Sequence, residues 1–283
     1  MTTPASEASG AASGVILATS VRSTTREERF AWLTLERVFM IFSPLLLLLI
    51  WEALSRAGVL DVRIFSRPTL VAVLIWNMAL DGSLWKNTAA TLARLVIGMI
   101  VGVVPGLFLG LTMGLFRVPR AIINPLVSAT YVLPRIALFP LVLLIIGLNE
   151  TSNIVMIALG PFFIMTISAM AAVLNVDPVY LRVARSFKVS TRDMYARVVL
   201  PAAMPLIFSG LKLSLGLGLL GVISVEFLLA NEGLGYMIWH SWQILSLGES
   251  MAGLLVTGLL GYLMFLALDR LERALVPWAG PEH

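Results

Sequence analysis

Residues 95–116 and 151–176 each form a long run without a single charged side chain. In the absence of water such a run can satisfy its own N–H and C=O groups only as a helix, and about 20 apolar residues cross the hydrocarbon core of a bilayer. Four further apolar runs, at 38–55, 121–148, 206–229 and 251–268, bring the expected number of transmembrane helices to six. The fold class is therefore expected to be all-α, a polytopic membrane protein. Composition agrees: 59% of the 283 residues are hydrophobic, 13% are charged, and the mean hydropathy is +0.94. A soluble domain is far less apolar.

The runs differ in detail. Gly98, Gly102, Gly106, Gly110 and Gly114 recur every four residues, so one face of the second helix lacks side chains and is expected to be a packing seam against another helix. The third run is interrupted by Pro125, Pro134 and Pro140, with Arg135 in its middle. An arginine at the bilayer centre costs about 2.5–3.5 kcal/mol on the insertion scale, so it must snorkel, pair or face water. Arg135, together with Glu226 in the fifth run, is a candidate for a translocation pathway. Gly160-Pro161 predicts a kink in the fourth run. Residues 56–91 are mixed and read as an outer amphipathic segment, with a surface helix over 69–80 ended by the Asp81-Gly82 turn pair.

Between the fourth and fifth runs lies a polar island, residues 177–205, DPVYLRVARSFKVSTRDMYARVVLPAAMP. It holds Arg182, Arg185, Lys188, Arg192 and Arg197 against only Asp177 and Asp193. Asp177 followed by Pro178 predicts a helix start, since the carboxylate accepts from free N–H groups and proline at the first position loses no bond. Val179, Val183 and Phe187 then fall on one face, with Tyr180 and Ala184 beside them and Arg182 and Arg185 on another. Ser190 with Asp193 predicts the cap of a second short helix, with Met194, Tyr195 and Val198 as its apolar side and Pro201 and Pro205 ending it. Two roles suit a basic helical hairpin of this kind: an interfacial segment resting on anionic lipid, or a docking element for a soluble partner.

The same island resembles the EAA loop of importer-type ABC transporter permeases, through ARS at 184–186 and the exit VVLPAAMP at 198–205. Arg182 stands where that family has Glu, and Lys188 where it has glycine, so the turn is expected to form without a residue free to take positive φ. LPRIALFPLVLLIIGLNE and VEFLLANEGLGYMI are similar to the nitrate, sulfonate and taurine type of permease, and the resemblance spans roughly residues 60–270. It implies a type I importer (MetI-like) helix bundle in a bacterial inner membrane. A second permease copy in a homodimer, two ABC ATPase subunits that use ATP and Mg, and a periplasmic or lipid-anchored solute-binding protein are implied with it. In that frame Val179, Tyr180, Val183, Ala184, Phe187 and Tyr195 form the apolar side of a coupling helix. Arg182, Arg185, Lys188 and Arg192 set its register on the ATPase, and a small anion is the expected cargo.

Charge distribution orients the chain. With the N-terminus inside, thirteen Lys/Arg fall in cytoplasmic segments against four outside, Arg56, Arg63, Arg67 and Lys86. That asymmetry places both termini and the 177–205 loop in the cytoplasm. The expected layout is a tail over 1–37, a first span over 38–55, the outer segment 56–91, a five-span core over 92–268 and a tail over 269–283.

Several chemistries are excluded. None of the three lysines sits in a phosphate-binding loop, so the chain has no such ATP site, and it binds no cofactor of its own. There is no cysteine, and the only histidines are His240 and His283, so neither a metal cluster nor a nucleophilic triad can be assembled and catalysis is not expected. The net charge of +4 lies beside apolar segments, which points to topology and membrane lipid and away from nucleic acid. The alternative function is a carrier driven by an ion gradient through Arg135, Glu226 and Lys212, with no ATPase partner; no inverted repeat is visible in the hydropathy of the two halves.

Overall fold

The computed structural model describes residues 42–62 and 64–278, and all regular structure among them is helical. The expected N-terminal tail, 1–37, lies outside the described residues, as do the first residues of the span expected at 38–55. Residues 42–56 are helical (α1).

Helix α2 (Pro68–Leu80) follows, with proline in its first turn and the Glu52 carboxylate accepting from the Thr69 N–H and hydroxyl at 3.2 Å. A carboxylate at a helix N-terminus satisfies free donors and complements the dipole. Thr69 and Asn77 are the only polar residues after its proline, so α2 is apolar on most faces rather than amphipathic. It buries Val71 and Met78 against Leu84, Leu234, Met237 and Leu260.

Helix α3 (Ser83–Leu115) is 33 residues long and α6 (Glu150–Leu174) 25. They make the most extensive helix contact of the fold. The five glycines of α3 are all buried, and a Cβ on Gly102, Gly106 or Gly110 would sit 2.3–2.6 Å from the carbonyl oxygens of Ala158, Phe162 and Thr166. The seam read from the glycine spacing is thus present, with backbone on backbone. Pro161 lies inside α6 without ending it. The C-terminus of α3 is closed by Arg120, whose guanidinium donates to the carbonyls of Met113 and Gly114 at 2.8 and 2.9 Å.

The third run is not one continuous helix. Helix α4 (Arg117–Tyr131) stops before Pro134, a 3-10 turn follows over Arg135–Leu138, and α5 (Phe139–Ile146) leaves at 94° to α4. Only Pro134 breaks the backbone; Pro125 lies within α4 and Pro140 in the first turn of α5, where a missing N–H is harmless.

After α7 (Pro178–Ser186), the second short helix expected to end at Pro201 instead continues. Helix α8 (Thr191–Met194), a π turn over Tyr195–Val199 and α9 (Leu200–Leu229) form one rod of 39 residues. In the π turn the Leu200 N–H reaches back to the Tyr195 carbonyl, and this wider turn lets the rod absorb Pro201, which has no N–H to give. Helices α10 (Leu234–Gln243) and α11 (Leu247–Leu275) complete the chain, α11 running past both ends of the sixth expected span. Among the described residues four helices are long and apolar enough to cross a membrane, and five if the bent pair is one crossing.

Candidate functional site

Both helix starts of the 177–205 loop form where the sequence indicates. The Asp177 carboxylate accepts from the Val179 N–H at 2.7 Å, and Ser190 caps α8 by accepting from the Asp193 N–H at 3.2 Å while its hydroxyl donates to the Asp193 carboxylate at 2.7 Å. Between the two helices the Val189 N–H bonds to the Ala184 carbonyl at 3.2 Å and the Lys188 N–H to that of Arg185 at 2.9 Å. These two bonds define a Schellman closure, which requires a left-handed residue at its centre. Lys188 supplies it with φ of 51°, so the expectation of a turn without positive φ is overturned.

Of the apolar residues assigned to the docking side, Val179, Tyr180, Val183 and Phe187 are exposed, Phe187 at 79%. Ala184 is buried and Tyr195 packs on the cluster of Met165, Ala169, Val199 and Ala203, so these two face the chain's own interior. Through α7 resting on the π turn, the exposed face is fixed to the start of α9. Arg182, Arg185, Lys188 and Arg192 are exposed and have no carboxylate partner among the described residues; Arg197 pairs with Asp193 at 3.2 Å.

The two pathway candidates part company. Glu226 is completely buried and is not on the wall of the cavity that Arg135 lines. Its carboxylate accepts from Arg94 Nη1 at 2.9 Å, the Thr91 hydroxyl at 2.9 Å and the Gly235 N–H at 2.8 Å. Arg94 also reaches Glu150 at 2.5 Å and the Glu232 carbonyl at 2.7 Å, while Asn87 and Thr91 accept from the N–H groups of Gly233 and Leu234. The whole set ties the α9–α10 turn to α3. Gly233, at φ of 124°, leaves the room, since a Cβ there would lie 2.4 Å from the Glu226 carboxylate. Arg94 was not singled out from sequence, although Asn87, Thr91 and Arg94 extend the glycine face of α3 toward its N-terminus.

Arg135 does face open space. It lines a cavity of about 390 Å³ with Tyr131, Pro134, Gly160, Leu217 and Ser224 among others. Its guanidinium rests on Gly160, where a Cβ would be 3.0 Å from Nη1. Lys212, the third charge within the spans, bridges to Asp269 and Glu272 of α11, both at 2.6 Å.

Among the described residues no group of His, Cys, Asp and Glu could hold a metal ion. His240 stacks on Tyr236 with ring centroids 5.4 Å apart.

Residues 102–280 match the family model of the binding-protein-dependent transport system inner membrane component. The chain is 33% identical over 247 residues to an Escherichia coli K12 permease protein named for aliphatic sulfonates transport, SsuC, covering 87% of this chain and 94% of that one. It is 30% identical over 262 residues to the taurine transport system permease protein TauC of the same organism, covering 90% and 95%. Among solved structures, inward-facing MetNI methionine ABC transporter matches with a TM-score of 0.55 and 23% identity, over 69% of this chain and 95% of that one. The fold is that of MetI-like permeases.

Proposed function

Because this chain belongs to the family of binding-protein-dependent transport inner-membrane components, we propose that it forms the translocation pathway of an ABC importer for a small organic anion of the sulfonate class. It is a multi-pass permease and not itself catalytic. In the proposed assembly two copies form the pore, two ATPase subunits grip the 177–205 loops from the cytoplasm, and a solute-binding protein delivers cargo outside. Both termini are cytoplasmic and the chain crosses six times, with 38–55 as the first crossing. The relatives named for sulfonates and taurine transport support the cargo class.

The observation that carries the coupling role is the exposed apolar face of Val179, Tyr180, Val183 and Phe187, set among Arg182, Arg185 and Arg192, which have no carboxylate partner among the described residues, and fixed to a 39-residue rod. Apolar anchors inside a charged rim suit a protein interface, where the charges set register. Pulling on that face moves the rod as a rigid body, which is how hinge and shear transitions transmit small shifts. Phe187→Asp in the assembled importer is expected to abolish ATP-driven uptake while the spans stay folded. Wild-type uptake would reject the docking role. Ala184→Asp is no substitute, since Ala184 is buried.

The carrier alternative requires Arg135, Glu226 and Lys212 to exchange partners. Glu226 is held by Arg94 and Lys212 by Asp269 and Glu272, in separate parts of the bundle. Vesicles holding this chain alone should therefore not respond to an imposed ion gradient.

A further inference from the structure

The cavity at Arg135 has a chemical character that narrows what can occupy it. Among the described residues Arg135 is the only charged one on its wall; Tyr131 and Ser224 are the only others with polar side chains, and the Ser224 hydroxyl donates to the Leu220 carbonyl at 2.8 Å. Neither an ion pair nor a hydrogen bond engages the Arg135 guanidinium among the described residues. The cavity meets α6 at Gly160 and α9 at Leu217, near the middle of both helices, so the charge sits at the depth where it is least tolerated alone. The non-helical break at 132–134 opens onto the same space, and irregular backbone at membrane depth is accepted where it lines a cavity or is covered by protein. An unpaired guanidinium, an apolar wall and a broken helix at one depth are together what a site for an amphipathic anion needs.

Resting on the importer reading, we propose that this cavity is a binding subsite for a monoanion with an apolar body, an alkyl- or arylsulfonate, and that it discriminates against zwitterionic aminosulfonates. The planar guanidinium presents paired N–H donors to the oxygens of a sulfonate, and such charge-assisted bonds are the strong ones. The hydrocarbon tail then displaces water from the walls formed by Leu217, Leu220 and Val225. An ammonium group entering the same space meets no carboxylate, so it loses its hydration without compensation.

The test is calorimetric binding of methanesulfonate, propanesulfonate, butanesulfonate and taurine to the full-length chain in lipid nanodiscs, without binding protein or ATPase. Affinity is expected to rise about two- to fourfold per methylene from methane- to butanesulfonate. Taurine should bind at least about tenfold more weakly than propanesulfonate, and Arg135→Gln should cost all sulfonates about tenfold or more. Leu220→Trp, which narrows the apolar wall and leaves the charge alone, should weaken butanesulfonate and spare methanesulfonate, and it keeps the test open if Arg135→Gln does not fold. Equal binding of taurine and propanesulfonate, no dependence on chain length, affinities untouched by either variant, or no binding of butanesulfonate at about 10 mM overturns the subsite. Failure of the importer reading registers elsewhere, as absence of ATP-driven uptake by the assembled complex, and leaves these binding results standing.

Discussion

The indole N–H of Trp278 donates to the carbonyl oxygen of Pro201 at 3.2 Å, joining positions 77 residues apart. Pro205 explains why that carbonyl is available. In an α-helix the Pro201 carbonyl would accept from the N–H of residue 205, and proline has none. Trp278, just beyond α11, supplies the missing donor and so fastens the last described residue to the rod that continues from the 177–205 loop.

Trp278→Phe keeps the ring and removes the donor. It is expected to lower stability by about 0.5–1.5 kcal/mol and to speed amide exchange over residues 195–205. Pro205→Ala restores an internal donor, so the effect of Trp278→Phe should shrink in that background. A double-mutant cycle of thermal unfolding measures the difference, and equal effects in both backgrounds would sever the link between the two residues.

Arg94 and Glu226 make a second long-range pair, at 2.9 Å with both side chains buried. Removing one partner of a buried pair strands the other, at a cost of about 3–5 kcal/mol, whereas replacing both by apolar groups is far milder. Arg94→Met and Glu226→Leu should each cause severe loss of folded protein in detergent, and the double variant should recover a large part of it. A double variant no better than the single ones would mean that the bonds the pair makes to Thr91, Glu150 and the Gly235 N–H, lost along with it, outweigh the pairing itself.

How much of this could be read in the sequence depended on the range of the interaction. The glycine face of α3 was legible because helical periodicity alone puts Gly98 through Gly114 in one line, and the start of α7 because Asp177 and Pro178 act on their immediate neighbours. The Arg94–Glu226 pair was not, since nothing local links two residues 132 positions apart. Hydropathy alone could not show the right-angled break at Pro134 in the third run, since an apolar count takes no notice of backbone direction. The stop expected at Pro201 failed for a different reason, since a π turn lets the helix pass a residue that ordinarily ends one.

The same periodicity gives a contrast between glycines. A Cβ on Gly106 would lie 2.6 Å from the Phe162 carbonyl oxygen, while one on Gly216 meets nothing within 4 Å. Gly106→Ala should force α3 away from α6 and lose about 1–3 kcal/mol, as overpacking does. Gly216→Ala, in an open part of α9, should be neutral or gain up to about 1 kcal/mol through lower chain entropy. Melting temperatures of the two variants in the same detergent check the sign of each, and a neutral Gly106→Ala would remove the close backbone approach from the account of the seam.

Lys188 holds a left-handed conformation at φ of 51° in the middle of the 177–205 loop. For a residue with a Cβ that conformation costs about 1–2 kcal/mol, while glycine adopts it freely and gives back about 0.5–1 kcal/mol in chain entropy. Lys188→Gly is therefore expected to tighten the turn by up to about 1 kcal/mol, seen as slower exchange of the Val189 N–H that closes it. Lys188→Val should do the reverse, because a β-branched side chain fits that region worst. The exposed apolar face of α7 is carried on this turn, so ATP-driven uptake should fall with Lys188→Val and hold with Lys188→Gly. Uptake that falls equally in both would assign the effect to the lost charge, and make Lys188 a contact residue rather than a hinge.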